Sequence, residues 1–160
     1  MKSRTAVFTG PKAIEIREIE LPPIGPNEVL VKMKACALCT WEQRFYKGSA
    51  SEDYPFRGGH EAAGVVVEVG KDAVIDLKSG DTVALAIMTR CGACGPCRRG
   101  MDNFCEYDDG GTLPGQPWGP GGLSDYVIMK DYQVYKASQG ADFAALALSE
   151  PVACVSRSVR

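Results

Sequence analysis

Four cysteines with the spacing C-x2-C-x2-C-x7-C, Cys91, Cys94, Cys97 and Cys105, constrain this chain more than any other feature. Gly92, Gly95 and Pro96 interleave them, so the backbone can wrap a small ion and set four thiolates about 2.3 Å from a tetrahedral zinc. Four protein thiolates leave no coordination position open, which is the pattern of structural zinc. An iron–sulfur cluster also takes four cysteines, and paired disulfides are the plain alternative. The segment Met1 to Phe8 has no long apolar stretch of the kind a secretion signal needs, and no run approaches membrane-spanning length. The chain is therefore expected to be cytoplasmic, where thiols stay reduced and clustered cysteines hold metal.

A second constellation lies outside this lobe. His60 is the sole histidine, in the run Gly58-Gly59-His60-Glu61-Ala62-Ala63-Gly64-Val65-Val66-Val67-Glu68-Val69-Gly70. Its Val-rich part and closing glycine describe a strand ending in a turn, and Gly58 and Gly59 allow other backbone close to the imidazole. Taken alone, such a residue is most simply a hydrogen-bonded core histidine. Cys39 changes the reading, because a thiolate and an imidazole with no fourth soft ligand nearby suit a catalytic zinc with three protein ligands and one exchangeable water. Glu150 is the first choice for the third ligand, since the break at Pro151 would project its carboxylate from a helix start. Glu61 and Cys154 are the alternatives; strand neighbours point to opposite faces, so His60 and Glu61 ligate together only if the backbone is irregular there. Cys36 formally completes C-x2-C with Cys39, and its place at a strand end reads as a buried small side chain.

Along the chain, strands are expected at 5–9, 13–19, 28–36, 81–88, 125–129 and 133–135, besides the histidine strand. Trp41 to Tyr46 reads as a helical turn. Residues 48–55 and 107–122 read as loops, the latter dense in glycine and proline and carrying Trp118. The pattern turns helical at 141–148, with a break at Ser149-Glu150 and a second helix over 151–160. Val152, Val155 and Val159 have helical spacing, and an exposed face of this kind promotes self-association. Eighteen lysines and arginines against 20 acidic residues give a net charge of -2, which disfavours nucleic-acid binding, including a zinc-ribbon reading of the cysteines. Eighteen glycines and ten prolines fit short strands and many turns.

These motifs resemble the zinc-dependent medium-chain dehydrogenases of the alcohol, polyol and threonine dehydrogenase type. Gly59-His60-Glu61-x2-Gly64-x-Val66-x2-Val69-Gly70 looks like their zinc signature, the four-cysteine run like their structural zinc loop, Gly121-Gly122-x-Ser124-Asp125-Tyr126-Val127 like the strand after it, and Glu150-Pro151 like the acidic ligand position of polyol-type members. The resemblance implies a mostly β, GroES-like, partly open barrel with a structural zinc lobe and C-terminal helices. It divides the chain into a catalytic zinc domain over 1–150 and, over 151–160, the start of a helix leading to a cofactor-binding domain that is absent. It implies two zinc ions per chain, one at Cys39, His60 and Glu150 and one at Cys91, Cys94, Cys97 and Cys105. The implied reaction is oxidation of a small alcohol or polyol, or reduction of a carbonyl, by NAD or NADP in the full-length enzyme; no nucleic acid or membrane is implied, and a homo-oligomer is allowed. Where the family carries serine or threonine this chain has Trp41, and indole is a donor only, so Thr40 or a water is expected to carry the proton. Glu42 is expected to accept from the second ring nitrogen of His60, with Glu61 as an outer carboxylate. No G-x-G-x-x-G turn occurs, so the isolated chain is expected to bind zinc without turning over. The alternative from a different class is a non-catalytic, zinc-stabilised binding or assembly module.

Overall fold

A computed structural model describes residues 1–49, 54–86, 88–107 and 117–159. The expectations for the middle of the 48–55 loop, for Ile87, for most of the 107–122 loop and for Arg160 fall outside these residues.

Strand β1 (Lys2–Gly10) turns through Pro11 and Lys12 into β2 (Ala13–Glu20), pairing antiparallel from Lys2 opposite Glu20 to Phe8 opposite Ile14. Pro11 has a fixed φ and no N–H, which suits the turn. Strand β3 (Glu28–Ala37) buries Val29 and Val31 in one cluster and Leu30 between them in another, and leads through Cys39 into α1 (Thr40–Lys47). The helix stops at Gly48 in the left-handed conformation. A two-residue strand β4 (Phe56–Arg57) then pairs with β1, giving a small sheet ordered β2-β1-β4. Its brevity hides it from any period-two pattern.

Strand β5 (Glu61–Val69) pairs with β3, and β6 (Thr82–Leu85) with β5. The expected strand over 81–88 is thus shorter, because its pairing with β5 runs over 82–84 and that with a later strand over 83–85. The cysteine segment holds α2 (Gly95–Arg98) and a 3-10 turn over Asp102–Phe104. Strands β7 (Tyr126–Lys130) and β8 (Val134–Lys136) complete a five-stranded sheet ordered β7-β3-β5-β6-β8. Its packed side carries Val29, Val31, Ala62, Val66, Val83, Leu85, Val127, Met129 and Val134, each buried valine, leucine or methionine contributing about 1.5–3 kcal/mol.

The two sheets meet where the Ala6 N–H donates to the Leu123 carbonyl and the Asp125 N–H to that of Arg4. Helix α3 (Phe143–Ala147) starts at Asp142, whose carboxylate accepts from the Ala145 N–H at 2.9 Å, a cap worth about 1 kcal/mol. Helix α4 (Ser149–Ser158) follows after Leu148 alone. The expected break at Ser149-Glu150 is therefore corrected: both residues are helical, because Pro151 falls within the first turn, where no N–H has an intrahelical acceptor to lose.

Candidate metal centres

The four cysteines of the lobe come together. Their sulfurs lie within 4.8 Å of one another, delivered by the loop at Cys91, the ends of α2 and the turn after Phe104. Backbone N–H groups are aimed at the sulfurs: Cys91 donates to Cys105 at 3.3 Å, Cys94 to Cys91 at 3.3 Å, and Tyr107 to Cys105 at 3.4 Å. Such donors favour thiolates. The Cys94 thiol is held down to about 7, foremost by a hydrogen bond from the Glu106 backbone, whereas burial and then Cys94 push Cys97 up to about 12. Neighbouring thiols that cannot all ionise unaided become compatible once a cation sits among them, so the donor set fits a four-thiolate metal. The lobe is tied to the sheet by Tyr132, whose ring lies under the Arg90 guanidinium at 4.7 Å and whose hydroxyl accepts from the Arg90 N–H.

The second centre is built around His60, which precedes β5 instead of lying within it. Gly59 before it has φ +99, and a Cβ there would meet the Leu123 nitrogen at 2.4 Å and the Cys36 sulfur at 2.9 Å, so only glycine fits. This irregular backbone lifts the strand rule that would send His60 and Glu61 to opposite faces: His60, Glu61 and Glu150 offer ligand atoms within 4.8 Å of one another. A separate group of the same tightness joins His60 to Cys39 and Glu42. Cys39 caps α1, Glu42 lies in its first turn, and Glu150 lies in the first turn of α4. Cys154, one turn beyond Glu150, donates to its carboxylate at 3.4 Å, an interaction that raises the thiol. Cys36 packs against the core and is pushed up to about 12, first by burial and then by Glu42 and Glu61, which makes it a packing group.

Glu42 is 2% exposed and accepts twice at one oxygen, from the Gly59 N–H at 2.9 Å and from His60 Nδ1 at 3.0 Å. A carboxylate only accepts, so Nδ1 carries the proton and Nε2 of the neutral ring keeps its lone pair. Burial works against the Glu42 charge, yet the bonds from His60 and Gly59 prevail and its pKa falls below the ordinary value. His60 is raised to about 9, foremost by that same bond. The other Glu42 oxygen is buried with no partner among the described residues. A buried carboxylate so poorly matched is better offset by a cation on the imidazole than by a proton that comes and goes; Cys39 lies on one side of His60 and Glu150 on the other, in two donor groups that share the ring, and no one group of that tightness holds both Cys39 and Glu150 among the described residues.

Around these side chains stand aromatic rings. Trp41 meets His60 edge-on at 5.4 Å and Trp118 at 6.2 Å, and Phe45 stacks on Phe56 at 4.2 Å. Thr40 Oγ1 lies 3.9 Å from the Cys39 sulfur. An apolar cavity of about 820 Å³, lined by Leu85, Met88, Tyr135, Glu150 and Cys154 among others, opens beside α4. Sequence reasoning did not single out Arg57 or Trp118 at this centre; neither carries a motif, and only the pairing of Phe56 with Trp118 brings them in.

Among proteins of known sequence, S-(hydroxymethyl)glutathione dehydrogenase of Escherichia coli is 35% identical over 161 residues, covering 89% of this chain and 43% of its own. Among solved structures, galactitol-1-phosphate dehydrogenase of Escherichia coli superimposes with a TM-score of 0.78 at 28% identity, covering 93% of this chain and 42% of its own. A short chain alcohol dehydrogenase of Escherichia coli CFT073, complexed with NADH, gives 0.78 at 26% identity, covering 94% and 42%. The chain thus spans less than half the length of the curated relatives it matches. The model of the alcohol dehydrogenase GroES-like domain matches residues 25–139. The mostly β architecture, the metal-binding donor sets and this match agree, and the chain belongs to the alcohol dehydrogenase GroES-like domain family.

Proposed function

We propose that this chain is the zinc-binding catalytic part of an NAD(P)-dependent alcohol or polyol dehydrogenase. Residues 1–150 form the catalytic domain, Cys39, His60 and Glu150 hold one zinc, and Cys91, Cys94, Cys97 and Cys105 hold another that is purely structural. The observation that carries the reading is the position of His60, shared between the Cys39–Glu42 group and the Glu61–Glu150 group.

Zinc bound there supplies Lewis acidity, which lowers the pKa of an alcohol and polarises a carbonyl. The chain's own residues prepare the site. Glu42 fixes the imidazole tautomer and ring orientation through Nδ1. Glu61 adds a second carboxylate beside Glu150, close enough to orient a ligand or neutralise charge. Thr40 offers a hydroxyl that can both accept and donate, and so can move a proton where Trp41, a donor only, cannot. Trp41 keeps water from one side of the ring.

The residues present do not form a dinucleotide site, since the sequence has no G-x-G-x-x-G turn between a strand and a helix. In this reading the nicotinamide cofactor is held by another part of a longer protein, α4 leads toward that part, and the 160-residue chain binds zinc without turning over. The test is metal content in protein purified without chelator. Two zinc ions per chain are expected, falling to one in Cys39→Ala. A single zinc confined to the four-cysteine lobe, unchanged in Cys39→Ala, would make the chain a zinc-stabilised binding module.

A further inference from the structure

Arg57 is 2% exposed, and no ion pair to it forms among the described residues. An unpaired buried cation costs several kcal/mol, so it persists only where its donors are used. They are used on one segment. Nε donates to the Pro117 carbonyl at 2.9 Å and Nη2 to that of Gly119 at 3.2 Å. The Arg57 backbone adds two more bonds: its N–H donates to the Trp118 carbonyl at 2.8 Å, and its own carbonyl accepts from Gly121 at 3.3 Å.

The segment is shaped to receive this side chain. A Cβ at Gly119 would strike the Arg57 carbonyl at 2.4 Å, and one at Gly121 would sit 3.0 Å from Nη1, both at positive φ. The residues 117–121 form no regular strand, so their carbonyls need donors from elsewhere. Trp118, held in this way, packs on Phe56 at 4.6 Å and on Trp41 at 6.2 Å, and Trp41 packs on His60. Gly122, the residue directly after the segment, donates to the Gly59 carbonyl at 2.9 Å, beside His60.

We infer that Arg57 is a positioning residue of the His60 centre: its buried guanidinium pins the Pro117–Gly121 segment, so that Trp118 braces Trp41 against the imidazole. This rests on the reading of His60 as a metal ligand. A guanidinium is required because its rigid fork reaches two carbonyls with separate N–H groups, which a single ammonium does less well.

The experiment compares the cobalt-loaded wild-type chain with Arg57→Met and Arg57→Lys. The two tryptophans are the only ones in the chain, so their near-ultraviolet circular dichroism and acrylamide quenching report this contact directly. Arg57→Met is expected to keep its far-ultraviolet spectrum and the metal of the cysteine lobe. It should lose most of the tryptophan dichroism, quench about threefold more readily, and shift the visible cobalt band of the His60 centre. Added guanidinium ion at millimolar concentration should restore part of both signals, and Arg57→Lys should fall between the two. Tryptophan and cobalt spectra of Arg57→Met that match the wild type would overturn the proposal. If Arg57→Met does not fold, Arg57→Lys decides, and spectra identical to the wild type refute it. A wild-type chain that takes up no cobalt at Cys39 and His60 strikes the proposed function instead, and the tryptophan signals still judge Arg57.

Discussion

Replacing Glu42 by glutamine changes how the His60 centre depends on pH, by an amount the geometry fixes. In the metal-free chain His60 titrates at about 9, foremost because Glu42 accepts from Nδ1. A metal must displace that proton. With a pKa near 9 the ring is proton-free in about one molecule in a thousand at pH 6 and about one in eleven at pH 8, so its share of zinc affinity rises roughly 90-fold. Without the carboxylate the ring returns toward the ordinary value near 6.5, and the same interval yields only about a fourfold rise. The ratio of the two increases, roughly twentyfold, measures the effect of Glu42. The sign for folding follows from the same shift: a raised histidine pKa stabilises the metal-free fold below about pH 6.5, and that contribution is lost as pH rises through about 9. Competition against a chromophoric chelator at pH 6 and pH 8 measures both affinities. Equal pH dependence in the two proteins would refute the Glu42–His60 coupling.

Gly59→Ala should lower the stability of the chain by about 2–4 kcal/mol, combining left-handed strain with a clash against Leu123, seen as a fall in Tm of roughly 5–15 °C; an unchanged Tm would mean that the strand ends part easily. Cys97→Ser should remove one zinc per chain while the second stays, measured by elemental analysis; loss of both would show the centres to be interdependent. Val152, Val155 and Val159 are 60%, 63% and 80% exposed, so the chain should self-associate at high concentration and Val155→Glu should suppress it in light scattering. A wild-type chain that stays monomeric would contradict this.

The strands were legible where alternation is long, as over Glu28–Ala37 and Ala13–Glu20, because one face of each is apolar. They were not where pairing is brief: Phe56–Arg57 offers two residues, too few to carry any period. The start of α4 was misplaced because proline's effect on its predecessor was weighed above its tolerance in a first turn, and here the second prevails. The four-cysteine cluster could be read from spacing alone, since its ligands lie within 15 residues of one chain segment. The His60 centre is different in kind. Its members are spread from Cys39 to Glu150, and their nearness depends on Gly59, Gly122 and the Arg57 clamp, none of which announces a partner in sequence. The closeness of Glu61 to Glu150 was obscured by treating His60 as a strand residue, when the strand begins one residue later.

Cys39 and Glu42 lie three positions apart at the beginning of a single helix, whereas Glu150 arrives on another that shares no hydrogen bond with the first among the described residues. The imidazole is therefore the seam between two independently mounted halves. Any displacement of the first helix carries sulfur and carboxylate together, preserving their spacing, and only the distance across to the far carboxylate changes. A centre assembled in this manner can widen on one side without loosening its hold on the ring.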